Sequence, residues 1–226
     1  MRMFTRRAFL NCGVAALTAG CSSSFQSPVL GNLVSAVRFT AFGMPDVPIK
    51  RDVIATIPYA SISAKIGRGP RGVLVLSHIE NDDHHWISAD RAALVTRGGR
   101  IVKTAGLPEL LKDTRSAAID PVGSVLHRLP SGTTFARTID LEPDSAYGVT
   151  VESTFETLGE ETIIVSEVEL ETVVVREYCE ARTIRWSHTN VYWADKFDGF
   201  VWKSRQHIAR SFPAIDVEVL KPALPG

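Results

Sequence analysis

The run Asp82-Asp83-His84-His85, with His78 a short distance upstream, carries the side chains in this sequence that are best suited to bind a metal ion. Imidazole and carboxylate groups are competent zinc ligands. However, four consecutive residues in an extended or turning segment project in divergent directions, whereas a metal site needs convergent ligands. We therefore interpret the run as a solvated loop, and we predict neither a metal site nor a cofactor.

The tryptophans form a second candidate site, because three of the four fall within seventeen residues near the C-terminus. Aromatic faces can stack on the apolar faces of sugar rings, so these side chains could line a sugar-binding groove. The simpler alternative is that they fill the core of a β-protein. The candidate sugar-binding residues are, as stacking platforms, Trp86, Trp193 and Trp202 and, as hydrogen-bonding neighbours, Asp90, Asp195 and Arg205.

Signals for common catalytic sites are missing. The sequence contains no GxSxG, HExxH or CxxC motif, so the usual nucleophile, zinc-protease and redox patterns give no catalytic residues. Cys179 has no recognisable catalytic partner, and we interpret it as a packed or edge-strand thiol. A pair of carboxylates that converges from distant positions, as in glycoside hydrolases, stays open as an alternative.

The elements that must position these residues are mainly β-strands. Alternating or β-branched runs, separated by Gly, Pro, Asn and Asp, predict strands over residues 59–66, 72–79, 92–96, 100–104, 135–141, 148–155, 161–165, 168–177, 188–193, 199–207 and 215–220. Short helical segments are predicted over residues 33–42, 52–57 and 106–111. Because the connections are short, neighbouring strands should be antiparallel. We expect a single mainly β domain, an antiparallel meander that forms a large curved sheet or an incomplete barrel.

The N-terminus predicts export and lipid attachment. Arg2, Arg6 and Arg7 precede an uncharged stretch over residues 8–19, and small residues stand immediately before Cys21. An apolar stretch of this length is shorter than the ~20 residues that a membrane-spanning helix needs. We predict a signal peptide over residues 1–20, a lipidated tether over 21–30 that begins at the acylated Cys21, and one domain over 31–226. A short membrane anchor or an ordinary cleaved signal are the alternatives.

Two resemblances refine this signal. Residues 5–10 (TRRAFL) resemble the twin-arginine export signal of bacteria. Residues 17–21 (LTAGC) resemble a lipobox, with Thr18 at the position that is usually leucine. A serine follows the cysteine, which in many enteric bacteria goes with sorting to the outer membrane, so the resemblance implies that destination.

The charge balance gives no support for a nucleic-acid partner. The full sequence has 25 basic and 25 acidic residues, and removal of residues 1–20 takes away three arginines and no acid, which leaves a net charge of minus three. A nucleic-acid-binding domain is typically basic. We therefore expect no nucleic-acid binding.

Six segments in order along the chain resemble one known family. The segments are PYASI (58–62), WISAD (86–90), LVTRGGRIVKTAGL (94–107), NVYWAD (190–195), GFVWKSRQ (199–206) and VLKP (219–222). Together they resemble the YjbF/GfcB lipoproteins, which are associated with secretion of exopolysaccharide and group 4 capsule in Gram-negative bacteria. The resemblance covers nearly all of the chain after the signal, and it supplies no catalytic residues.

The resemblance implies a lipid-anchored protein on the periplasmic side of the outer membrane, with an outer-membrane β-barrel and periplasmic polysaccharide-export proteins as partners. We expect a non-enzymatic accessory factor that binds polymer or the secretion barrel. One alternative is a carbohydrate-active enzyme that modifies the exported polymer. Another is a structural module that recruits a barrel partner through an exposed strand edge, for which the alternating strand from Glu167 is a candidate.

Overall fold

Twelve strands make up most of the part of the protein that the computed structural model describes, residues 49–123 and 125–223. The elements in order are α1 (Arg51–Ala55), β1 (Ser61–Ile66), β2 (Arg71–Glu80), β3 (Asp83–Ser88), β4 (Ala93–Arg97), β5 (Arg100–Ala105), β6 (Leu110–Arg115), the 3-10 turn η1 (Leu126–Arg128), β7 (Thr134–Glu142), β8 (Ala146–Val165), β9 (Val168–Ala181), the 3-10 turn η2 (Arg182–Ile184), β10 (Trp186–Asp195), β11 (Val201–Gln206) and β12 (Ile215–Lys221). Among these described residues, no helix has the length and apolar character needed to cross a membrane.

All twelve strands belong to one antiparallel sheet. The spatial order is β5-β4-β3-β2-β1-β12-β11-β10-β9-β8-β7-β6, so the chain runs as two meanders that are joined where β1 pairs with β12. The two terminal strands of the sheet, β5 and β6, come together, and the Leu111 N–H donates to Thr104 Oγ1 at 2.9 Å. The sheet is therefore curled into a nearly closed barrel, which confirms the predicted mainly β, antiparallel fold.

The longest hairpin joins β8 and β9, which pair from Glu152 opposite Glu180 to Val165 opposite Val168. A bulge between Thr157 and Gly159 lets β8 continue as one strand, where the sequence predicted two strands with a break. The strand that begins near Glu167 was a candidate for an exposed edge. That expectation is wrong for most of β9, because Thr172 to Ala181 also pair with β10.

Two local expectations are wrong. The predicted helix over residues 106–111 is instead a turn followed by β6, in which Leu111 and Thr114 are buried and the strand pairs with β7. The predicted solvated loop at Asp82 to His85 is mostly β3, which pairs with β2 and β4. In both places strand pairing, which single residues do not reveal, decides the local structure.

Other expectations are confirmed. The helical turn predicted over residues 52–57 is α1, and the hairpin predicted around Gly98 and Gly99 joins β4 to β5. Both glycines have positive φ, 58° and 100°, which tight reversals require. The predicted signal peptide, the tether with Cys21 and the predicted helix over residues 33–42 lie outside the described residues.

The interior of the sheet has three layers. One apolar cluster includes Trp86 and Trp186, and a second includes Phe155 and Tyr192. Between them the inward positions of neighbouring strands are polar: Arg100, Arg137, Ser153, Glu177, Asn190 and Gln206. A polar layer thus separates two apolar clusters inside the same sheet.

Candidate functional site

Glu177 is the centre of the polar layer. On β9 it stands at an inward position, with Val175 in one apolar cluster and Cys179 in the other, and it is 0% exposed. Two arginines bind its carboxylate: Arg100 with Nη1–Oε2 at 2.9 Å and Nη2–Oε1 at 3.0 Å, and Arg137 with Nη1–Oε1 at 2.8 Å. A carboxylate held in this way is a strong, bidentate acceptor.

Two neutral groups complete the shell around the same carboxylate. Asn190 Nδ2 and Tyr192 Oη both donate to Glu177 Oε2, at 2.9 and 3.0 Å. Arg100 also donates to Asp120, with Nη2–Oδ1 at 3.0 Å, so each buried charge has an opposite charge in contact. Buried ions are tolerated only when they are paired and hydrogen-bonded, as they are here.

The pKa values in this layer point to fixed charges. Burial raises the pKa of the Glu177 carboxyl, but the charges of Arg100 and Arg137 outweigh burial and hold that pKa well below its usual range. Burial raises the pKa of the Tyr192 phenol well above its usual value. Near neutral pH the carboxylate is therefore ionised and the phenol protonated, which suits a structural cluster better than a proton-transfer site.

Cys179 lies next to this layer and is 3% exposed. Its Sγ is 3.5 Å from both Arg137 Nη2 and Ser153 Oγ. Burial is the main cause that raises the pKa of the thiol. A buried, protonated thiol is a poor nucleophile, which agrees with the expected packed role.

Two imidazoles with buried ring nitrogens, His188 and His207, lie on the same side of the polar layer as Cys179. The His188 ring stacks on Trp186 with centroids 3.9 Å apart, and burial, with a smaller effect of Arg137, lowers the pKa of His188 to about 3. Burial also lowers the pKa of His207. Both imidazoles are therefore neutral at physiological pH.

A separate cavity of about 110 Å³ is lined by aromatic side chains. Trp86 and His84 enter it from β3, and Trp202 enters from β11. Phe200, which is 38% exposed, packs edge-on against Trp202 with ring centroids 4.7 Å apart and links the cavity to solvent. Concave surfaces lined by aromatic rings with a few polar groups are typical of ligand sites, and at about 110 Å³, below the roughly 300–1,000 Å³ of most such pockets, this cavity would hold only part of a ligand.

Local structure fixes the two tryptophans in this cavity. The register between β10 and β11 shifts so that Trp202 stands at a bulge, and its Nε1 donates to Asp195 Oδ2 at 3.2 Å. Trp86 is 3% exposed, and its Nε1 donates to Thr96 Oγ1 at 2.8 Å. Both indole N–H groups are thus satisfied within the protein, which leaves the ring faces for packing.

Glycines form one wall of the cavity. A Cβ on Gly98 would lie 2.7 Å from the Cα of Gly123, and both residues have positive φ, 58° and 89°. Side chains larger than hydrogen would clash there and would also be strained. The wall therefore depends on glycine at these two positions.

The structure brings three of the predicted sugar-binding residues together. Trp86 and Trp202 line the same cavity, and Asp195 holds the Trp202 indole. Asp195 also accepts the Phe197 N–H at 2.9 Å, so its carboxylate stabilises the turn that ends β10. Its role is to position Trp202.

The other three predicted residues do not line this cavity. Trp193 follows the inward-facing Tyr192 on β10, so its side chain lies on the opposite face of the sheet. Its Nε1 donates to Glu161 Oε2 at 3.0 Å. Arg205 is half-exposed and pairs with Asp216, with Nε–Oδ1 at 2.6 Å. Asp90 lies in the turn between β3 and β4, where it accepts a hydrogen bond from Ser88.

Sequence reasoning missed the polar layer. Arg100, Arg137 and Glu177 are far apart in the sequence, and each looks like an ordinary charged strand residue. The sequence does contain one signal, the alternation of side chains between the two faces of a strand. Glu177 occupies an inward-facing position of β9, between buried Val175 and Cys179. A charged residue at an inward position predicts a buried partner of opposite charge.

The fold places this protein in a class whose members are built on one nearly closed antiparallel sheet. The crystal structure of the hypothetical lipoprotein YmcC from Escherichia coli (K12) superposes with a TM-score of 0.68 at 25% identity, covering 93% of this chain and 100% of that one. Residues 34–220 match the sequence model of the family YjbF, described as group 4 capsule polysaccharide lipoprotein gfcB, YjbF. The chain belongs to this family, which confirms the resemblance inferred from the sequence.

Two relatives from Escherichia coli (strain K12) share most of their length with this chain. The uncharacterized lipoprotein GfcB is 29% identical over 210 residues, which cover 92% of this chain and 95% of the relative. The uncharacterized lipoprotein YjbF is 28% identical over 211 residues, which cover 93% and 95%. The family is thus one of lipoproteins associated by name with a capsule polysaccharide.

Proposed function

We propose that this protein is a non-enzymatic accessory factor in the secretion or assembly of an exopolysaccharide or capsule. A lipid on Cys21 would hold it at the periplasmic side of the outer membrane, beside an outer-membrane β-barrel and periplasmic polysaccharide-export proteins. The family description and the lipoprotein relatives support this assignment. The export signal and the cysteine in the sequence support the anchor.

The aromatic cavity is the observation that carries the proposal. Trp202 borders it from β11 and the partly exposed Phe200 borders it from the residue before that strand, and Trp86 forms its buried wall. Ser204 also lines it and provides a hydroxyl near the rings, whereas the Lys203 ammonium lies over Trp193 and pairs with Glu218 on the other face of the sheet. Aromatic faces with a few adjacent donors suit the alternating apolar and hydroxyl surfaces of a sugar chain.

The composition of the cavity favours binding over hydrolysis. Among the described residues that line it there is no aspartate or glutamate. Glycoside hydrolases of the common type place two carboxyl groups on either side of the bond that they cleave. Glu177, the most strongly perturbed carboxylate among the described residues, is fully buried and already bound by two arginines. These features argue for a binding role.

The direct test uses full-length lipidated protein purified in detergent and polysaccharide isolated from the same bacterium. We expect polymer to bind and its chain length, measured by size-exclusion chromatography, to stay unchanged. Shortened chains would support the carbohydrate-active enzyme instead. Absence of binding together with capture of the secretion barrel would support a module that only recruits a protein partner.

A further inference from the structure

Three potential metal ligands share one face at the end of the β2–β3 hairpin. His78 on β2 is directly opposite His85 on β3 in the antiparallel ladder. Glu80 lies two residues beyond His78 on the same strand, so its side chain projects from the same face. Strand pairing places His85 beside His78, and the alternation of side chains along β2 places Glu80 on the same face.

The distances between these groups are short. The rings of His78 and His85 stack with centroids 4.1 Å apart and planes inclined by 18°. His85 Nε2 lies 3.9 Å from Glu80 Oε2, beyond hydrogen-bond distance. One ligand atom from each of the three side chains falls within 4.8 Å of the others.

One of the ligand atoms is buried without a protein partner. His85 Nε2 has no hydrogen-bond partner among the described residues, although the atom is screened from solvent. A buried polar nitrogen without a partner is unfavourable, and a bound cation would satisfy it. This observation is independent of the clustering of the three side chains.

The neighbouring residues Asp83 and His84 have other contacts and do not belong to the ligand set. Asp83 is already bound by Arg97, with Nε–Oδ1 at 2.7 Å and Nη2–Oδ2 at 2.9 Å. His84 lies on the opposite face of β3, in the aromatic cavity. The ligand set is therefore two imidazoles and one carboxylate, with room for a further ligand on the exposed side of Glu80.

We propose that His78, Glu80 and His85 bind a divalent transition metal ion, with zinc as the best match. Zinc accepts His₂Glu sets and leaves a fourth position to water. With metal–ligand bonds of about 2.0–2.1 Å, tetrahedral ligand atoms are about 3.4 Å apart, so ligand atoms that lie within 4.8 Å of one another need to approach by up to about 1.4 Å. The two stacked rings also need to rotate until their nitrogen lone pairs converge on the ion. The site clamps β2 to β3 where Glu80 and Asn81 are exposed.

Consecutive residues such as 82–85 project in divergent directions, and for that reason we predicted no metal site from the sequence. His78, Glu80 and His85 instead project from one face, because two of them are alternate residues on one strand and the third is the opposite residue on its neighbour. A zinc ion at this position would join two strands near a turn. It is independent of the proposed polysaccharide function.

The test uses tag-free, full-length protein in detergent, stripped with a chelator and titrated with zinc by calorimetry. We expect one zinc per protein, a rise in the thermal midpoint, and a visible cobalt(II) spectrum typical of a tetrahedral site. The double variant His78→Ala/His85→Ala should lose binding. Glu80→Gln should weaken binding more than about tenfold, because even a lost second-shell partner costs roughly 10- to 100-fold.

Asp82→Asn is the matched control, since Asp82 is exposed in the same turn and the substitution removes the same charge. It should keep the affinity of the wild-type protein. Equal zinc binding by the wild type and the double histidine variant would overturn the proposal. So would equal weakening by Glu80→Gln and Asp82→Asn, because that result would indicate only a diffuse attraction between the ion and an acidic turn.

Discussion

Arg100 Nη1 lies 2.9 Å from Glu177 Oε2 in the middle of the sheet interior, although the two residues are 77 positions apart in the sequence. Arg100 begins β5, at one end of the sheet order, and Glu177 belongs to the internal strand β9. Their ion pair therefore crosses the interior and holds opposite walls of the nearly closed sheet together. Because a buried charge without its partner is costly, the pair also disfavours alternative registers.

Replacement of Glu177 by glutamine should strongly destabilise the protein. Arg137 would stay buried without its counter-charge and Arg100 would keep only Asp120, and breaking a buried ion pair in this way typically costs about 3–5 kcal/mol. Urea unfolding followed by circular dichroism measures the free energy of unfolding. Glu169→Gln, an exposed glutamate on the same strand, is the control and should change stability by less than about 0.5 kcal/mol. Equal effects of the two substitutions would contradict a central role for the ion cluster.

Stability should decline in mild acid because partial burial lowers the pKa of His188 and His207 in the folded protein. The pKa of His188 is about 3 in the folded protein, below the value of about 6.5 expected for an unfolded chain. The unfolded state therefore takes up the proton first, so stability is full above about pH 6.5 and falls as the pH decreases from there. One such proton contributes at most about 1.4 kcal/mol per pH unit.

Glu177 adds a second loss of stability at lower pH. Its folded pKa is depressed, so its contribution is present above the unfolded value and is lost as the pH falls through the acid range.

Free energies of unfolding measured at pH 7, 6 and 5 isolate the loss of stability that protonation of the histidines causes. His188→Phe, which keeps a ring against Trp186, should have a shallower slope over this interval. An unchanged slope would show that His188 is not buried as a neutral imidazole.

Trp202→Ala should weaken polymer binding, whereas Trp193→Ala should leave it nearly unchanged. Trp202 lines the aromatic cavity, but Trp193 bonds to Glu161 on the other face of the sheet. A stacked aromatic ring contributes about 0.5–1.5 kcal/mol beyond its buried area, which corresponds to an affinity loss of roughly 2- to 12-fold. Co-sedimentation with isolated polymer measures the effect, and far-UV circular dichroism checks folding. Equal losses of polymer affinity for both variants would show that the cavity is not the binding site.

Gly98→Ala should destabilise the protein much more than Gly148→Ala. Both positions have positive φ, so each alanine pays about 1–2 kcal/mol of backbone strain. A Cβ on Gly98 would also meet Gly123, whereas nothing lies within 4 Å of a Cβ on Gly148. The steric part should add about 1–3 kcal/mol, measured by urea unfolding. A difference near zero would mean that the loops simply move apart.

Strand periodicity explains why much of the fold could be predicted. Alternation and glycine turns identified the β4–β5 hairpin and most other strands, since these signals are local. The strand β3 was missed because Asp83, His84 and His85 are polar on both faces. Its stability comes from pairing with β2 and β4, and no single segment of sequence contains that information.

The sites were harder to predict because they depend on which side chains of strands far apart in the sequence face the same side of the sheet. Trp86 and Trp202 could be selected by residue type, but the register shift that places Trp202 at a bulge is not visible in the sequence. Trp193 was selected for the same reason, yet it lies on the other face. Glu177 and its arginines form a site only after β5, β7 and β9 are assembled.

Secretion of polysaccharide by a clean deletion strain tests the central proposal most directly. The amount of extracellular polymer is measured in the parent, in the deletion strain, and in deletion strains that express the wild type or the Cys21→Ser variant. The proposed role predicts that the deletion strain secretes much less polymer, that the wild-type gene restores secretion, and that Cys21→Ser restores it poorly. Normal secretion by the deletion strain would contradict an accessory role in polysaccharide export.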